Sequence, residues 1–115
     1  MSFVDKWVGR FFQTLKDLNL WDNSLIVFTS DHGELLGERN CIRKARPWPF
    51  DELSHIPLMM RLPGGEKAGT VVDSFAQTPD LLPTVCDLLG IEALGGTTGQ
   101  SLLPVIHKKS EGRSF

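Results

Sequence analysis

Phe3, Val4, Trp7, Val8, Phe11, Phe12, Leu15 and Leu18 recur at three- and four-residue spacing, the period of a wide apolar stripe on an α-helix. The pattern predicts a first helix of about 17 residues. Leu20-Trp21-Asp22-Asn23 turns the chain, and Leu25-Ile26-Val27-Phe28-Thr29 then reads as a buried strand. A helix that delivers the chain to a buried strand is half of a βαβ unit. Residues 31–55 have no clean period and hold Pro47-Trp48-Pro49; a loop this long inside a compact domain is usually functional. Pro57-Leu58-Met59-Met60-Arg61-Leu62 reads as a second strand, stopped by Pro63-Gly64-Gly65, and Thr70-Val71-Val72 starts a third extended segment.

Pro83 fixes the start of the next helix. With Thr78 as cap, Pro83 would fall where its missing N–H breaks a helical bond. With Asp80 as N-cap it falls at the third position, whose N–H has no helical partner anyway. The pattern therefore predicts a helix capped by Asp80, with Leu81, Leu82, Val85, Leu88 and Leu89 facing the core and Gly90 closing it. Gly95-Gly96-Thr97-Thr98-Gly99 reads as a flexible loop.

The 115 residues fit one domain or a piece of a larger one. A 41% apolar and 23% charged composition suits a soluble core, and a net charge of −2 gives no footprint for a nucleic-acid partner. No apolar run approaches the roughly 20 residues a membrane span needs. Asp5 and Lys6 interrupt the apolar N-terminal stretch, so it is not expected to be a signal peptide, and localisation stays open. Cys41 and Cys86 lack C-x-x-C spacing and are expected as an unpaired loop thiol and a helix-core residue.

Candidate chemistry begins where the first strand ends, at Asp31-His32-Gly33. Open α/β sheets bind ligands at the carboxyl ends of their strands, so a carboxylate beside an imidazole there is a metal or acid/base candidate, with a solvated turn as the alternative. The carboxylate suits a hard cation, and the imidazole suits zinc or manganese better. Lys44 and Arg46 are candidates for an oxyanion, with a solvated basic loop as the alternative. His55 reads as a satisfied, partly buried histidine, and Glu34, Glu38, Asp51 and Glu52 as structural or solvated acids. Trp21 and Trp48 read as packing residues.

Trp21-Asp22-Asn23-Ser24-Leu25-Ile26-Val27-Phe28-Thr29-Ser30-Asp31-His32-Gly33-Glu34, followed by Leu36-Gly37-Glu38-Arg39, Lys44, Pro57-Leu58 and Leu62-Pro63-Gly64, resembles the C-terminal half of a sulfatase, in the alkaline-phosphatase-like superfamily. Asp80-Leu81-Leu82-Pro83-Thr84, Leu88-Leu89-Gly90-Ile91 and Gly99-Gln100-Ser101-Leu102-Leu103-Pro104 continue the resemblance in order. It implies an α/β fold, a fragment of an α/β/α sandwich with a mixed sheet flanked by helices, over residues 1–106, with 107–115 as a frayed tail. It implies that Asp31 and His32 hold a divalent cation, usually calcium in sulfatases, with manganese or zinc as alternatives. By the same resemblance Lys44 is expected to take the role of a sulfate-contacting lysine, and Arg39, where members often carry histidine, is a second substrate-binding candidate that leaves the substrate class open.

The sulfatase nucleophile is a formylglycine made from Cys or Ser in a C-x-P-x-R motif, and the residues after Cys41 and Cys86 do not fit it. The resemblance therefore implies a metal-dependent sulfuric ester hydrolase portion, inactive alone, whose full-length form takes a sulfate-ester small molecule or sugar. Alternatives are a phosphatase, phosphonate hydrolase or phosphoglycerate-mutase-like relative, or a non-catalytic assembly module. Strand edges and apolar faces left open in such a fragment predict self-association.

Overall fold

The computed structural model describes residues 2–44, 50–93 and 95–113. Arg46 and Trp48, named above as an anion ligand and a packing residue, lie outside the described residues. The chain divides into two compact units, residues 1–68 and 69–115.

In the first unit the apolar stripe forms α1 (Ser2–Asp17). Asn19 closes it with φ 56°; its N–H donates to the Lys16 carbonyl at 3.0 Å, and that of Leu20 to the Leu15 carbonyl at 2.8 Å. These are the two bonds of a Schellman turn. Val8, Phe12 and Leu15 are half-buried, whereas Phe3, Val4, Trp7, Phe11 and Leu18 remain exposed. The stripe is wider than the surface that covers it.

The chain then runs through β1 (Ile26–Thr29), β2 (Leu35–Leu36), β3 (Ile42–Arg43), the single turn α2 (Asp51–Ser54) and β4 (Leu58–Arg61). β1 pairs antiparallel with β4, Ile26 opposite Arg61 and Thr29 opposite Leu58. No parallel pair, as a βαβ unit requires, occurs among the described residues. β1 is half-buried at Ile26 and Val27 but exposed at Phe28 and Thr29, so the expected buried strand is covered over only half its length. The expected loop of 31–55 instead carries β2, β3 and α2, elements too short to leave a period in sequence. Leu35, Leu53 and Leu62 form the buried core of this unit.

Trp21 packs as expected. Phe12 meets it edge-on with ring centroids 5.4 Å apart, and the Lys16 and Arg61 cations lie 4.8 and 4.4 Å from its centroid. Arg61 also donates to the Trp21 carbonyl at 2.6 Å and to Asp22 Oδ1 at 3.0 Å, which ties the end of β4 to the turn before β1.

β2 and β3 form a hairpin, Leu36 opposite Ile42, and Leu36 N–H donates to Glu38 Oε2 at 2.6 Å. The backbone N–H groups of Glu38 and Leu36 hold the Glu38 carboxyl below the ordinary glutamate value. A depressed folded-state value means that the bond contributes fully above the unfolded value and is lost as pH falls through the folded one. An acid titration is expected to shift the Leu36 amide proton resonance with a midpoint below that of glutamate in an unstructured peptide. Glu38→Gln is expected to abolish that titration.

In the second unit a 3-10 turn (Thr78–Asp80) leads into α3 (Leu81–Leu89), and α4 (Leu103–Ile106) follows. Asp80 does not cap α3 with its side chain. It sits one turn earlier in effect, accepting the Gln77 N–H at Oδ2 (2.8 Å) in a capping box around the 3-10 turn. Pro83 still falls at the third position of α3, where no bond is lost. Gly90 closes α3 as expected, with φ 66° and Ile91 N–H donating to the Cys86 carbonyl at 3.0 Å. The buried face differs from the expected one: Thr84 and Cys86 are buried, while Leu82 and Leu89 are exposed. The Thr84 hydroxyl is drawn inward because it donates to the Asp80 carbonyl at 2.5 Å and accepts the Leu102 N–H at 2.9 Å. Cys41 is partly exposed and Cys86 buried, both free.

Thr70-Val71-Val72 forms no strand; the extended pairing occurs later, as an antiparallel bridge between Phe75 and Arg113. Within residues 107–115, described up to Arg113, that arginine donates to the fully buried Asp80 at 2.6 Å. The glycine-rich loop is also held at its far end, where a Cβ on Gly99 would run into the Pro79 carbonyl and Gln100 N–H donates to Asp80 Oδ1 at 2.8 Å.

Candidate cation and oxyanion site

Asp31 and His32 leave the end of β1 on a bend fixed by Ser30, whose hydroxyl donates to the His32 carbonyl at 2.8 Å and lies 3.4 Å from Asp31 Oδ1. Neighbouring residues on a strand point apart; this bend folds their side chains together instead. The His32 backbone N–H donates to Asp31 Oδ1 at 2.9 Å, which leaves Asp31 Oδ2 facing His32 Nε2 at 3.5 Å. That backbone N–H, then the charge of the His32 ring, then Asp31's own backbone N–H and the Ser30 hydroxyl hold the Asp31 carboxyl below its ordinary value.

The tautomer of His32 follows from its other nitrogen. Nδ1 lies 2.7 Å from the Gly33 carbonyl, and a carbonyl only accepts, so Nδ1 carries the proton. In the neutral ring Nε2 then presents a lone pair beside a carboxylate oxygen. Metal-bound histidines are commonly oriented in this way, the second nitrogen donating to a backbone carbonyl. The pair thus fits one cation as two of its ligands. No group of three or more His, Cys, Asp or Glu side chains suited to a metal occurs among the described residues.

Gly33 follows the pair directly. Its φ is not positive, and its role is close approach: a Cβ there would run into the Glu52 carbonyl, while Gly33 N–H donates to the Leu53 carbonyl at 2.9 Å. α2 therefore docks against the backbone directly behind His32. The same turn reaches Arg39, whose guanidinium carbon lies 4.0 Å from the Phe50 ring centroid and whose Nε lies 3.9 Å from Glu52 Oε2. Phe50 and Glu52 carry no sequence signal of this contact, since α2 is one turn long.

Lys44 is exposed immediately after β3, and no ion pair joins it to Asp31 among the described residues. Arg43 before it has φ 77°, a conformation that L side chains rarely adopt. His55, expected to be partly buried, is exposed at the end of α2.

The sulfatase family model matches residues 1–91. The chain is 34% identical over 108 residues to an N-acetylglucosamine-6-O-sulfatase of Bacteroides thetaiotaomicron, covering 94% of this chain and 19% of that protein. It is 36% identical over 104 residues to a multifunctional alkaline phosphatase superfamily protein of Trinickia caryophylli, covering 90% and 20%. The crystal structure of a phosphonate monoester hydrolase of Agrobacterium radiobacter superposes with a TM-score of 0.83 at 38% identity, over 96% of this chain and 21% of the other. The chain spans about a fifth of the length of each of these proteins. The α/β fold, the ordered motifs and the family match over most of its length converge: this chain belongs to the sulfatase family, within the alkaline-phosphatase-like superfamily.

Proposed function

We propose that Asp31, His32, Arg39 and Lys44 contribute a divalent-cation and oxyanion site to a hydrolase of sulfuric esters. The observation that supports this most is the orientation of His32, with Nδ1 donating to the Gly33 carbonyl and Nε2 3.5 Å from Asp31 Oδ2. A bound cation, calcium by preference with manganese or zinc as alternatives, would supply positive charge to the ester's non-bridging oxygens. Asp31 and His32 hold the position of that charge, and Gly33 fixes the backbone behind them. Arg39 and Lys44 supply the anion contacts, Arg39 as a planar fork and Lys44 as a point charge. A phosphonate or phosphate ester is the second reading, favoured by the structural match to phosphonate monoester hydrolases, because both classes present tetrahedral oxyanions.

No C-x-P-x-R segment occurs in the chain, so its own assignment is binding without turnover. Manganese titration followed by electron paramagnetic resonance is expected to give one site, weakened at least tenfold by Asp31→Ala or His32→Ala and unchanged by Glu34→Gln. A site that persists in both alanine variants would overturn the assignment. Turnover of an aryl sulfate by the purified chain would overturn its inactivity. We also propose that the chain self-associates through the outer face of α1, where Phe3 is 73% exposed and Trp7 and Phe11 about half. Light scattering is expected to show mass rising with concentration, and a constant monomer mass would contradict this.

A further inference from the structure

We propose that Phe50 is a positioning residue for Arg39, carried at the start of the same short turn that packs behind His32; this rests on the assignment of Arg39 above. Arg39 is 53% exposed along its side chain and leaves the β2–β3 hairpin from a residue with φ 55°. An exposed arginine on such a tip samples many rotamers, and ordering them on binding an anion weakens that binding. The Phe50 ring, 4.0 Å from the guanidinium carbon, removes much of that freedom before the anion arrives.

Glu52 plays a different part. Its carboxylate lies 3.9 Å from Nε, with both side chains partly exposed, a geometry that contributes little to stability. It places a negative charge on the Nε side of the fork. Stacking therefore aims the guanidinium, while Glu52 opposes an anion approaching along the Nε edge. Because Glu52 and Leu53 also carry the carbonyls against Gly33, one short turn sets both Arg39 and the backbone behind His32.

The test follows the Arg39 Nε–Hε resonance of the full chain during addition of inorganic sulfate, and separately the broadening of Asp31 and His32 resonances by Mn2+. Phe50→Leu is expected to weaken the sulfate response about two- to five-fold, the range of an exposed cation–π contact, and to leave the Mn2+ broadening unchanged. Phe50→Trp is expected to restore it. Glu52→Gln is expected to strengthen the sulfate response by removing the opposing charge. An unchanged response in Phe50→Leu, a Trp variant as weak as the Leu variant, or no wild-type response to sulfate would each overturn the proposal. Loss of Mn2+ broadening in the wild-type chain would instead overturn the cation assignment.

Discussion

Asp80→Ala is expected to destabilise the second unit by about 3 kcal/mol, the scale for removing one partner of a buried charged network. Asp80 is fully buried and receives the Gln77 and Gln100 N–H groups at 2.8 Å and the Arg113 guanidinium at 2.6 Å. Alanine leaves two backbone donors and a cation without their acceptor, in a unit whose buried residues, among those described, are Asp80, Thr84 and Cys86. Asp80→Asn keeps an acceptor for one N–H but loses the charge that holds Arg113, so an intermediate loss is expected. Urea unfolding followed by circular dichroism measures both, and an Asp80→Ala midpoint equal to the wild type would show that the network contributes nothing.

Gly33→Ala is the second large effect, and it acts in the other unit. The new methyl meets the Glu52 backbone carbonyl, which has no flexible end to swing away. Either α2 or the loop carrying His32 must move, at about 1–3 kcal/mol for overpacking. Moving them also breaks the bond from Gly33 N–H to Leu53, a further ~1 kcal/mol. Because the Gly33 carbonyl fixes the His32 tautomer, Mn2+ affinity is expected to fall with stability. A variant that loses stability but retains wild-type Mn2+ affinity would detach the α2 contact from the site.

The long-period features of the fold were legible in the sequence. The stripe of α1, the apolar run of β1, the Pro-Leu strand of β4 and the Gly90 stop of α3 each leave a repeated or chemically distinct signal. What was hidden was short or long-range. α2 is four residues long, so no periodicity marks it, yet it supports both Gly33 and Arg39. The burial of Asp80 depends on Gln100 and Arg113, 20 and 33 residues away, and local capping rules place its carboxylate at the wrong end of the turn. The Asp31-His32 pair was visible as two residue types at a strand end. Its geometry was not, because it depends on the Ser30 hydroxyl and the Gly33 carbonyl.

In the proposed site His32 presents Nε2, beside Asp31, to a divalent cation. Nitrogen-15 spectra of the histidine rings test it directly, at mildly alkaline pH, with and without Zn2+ as a diamagnetic probe. A protonated Nδ1, an unprotonated Nε2, and a Zn2+-induced shift confined to Nε2 that Asp31→Ala weakens are the expected result. A proton on Nε2, or an Nε2 resonance that Zn2+ leaves unmoved, would contradict it.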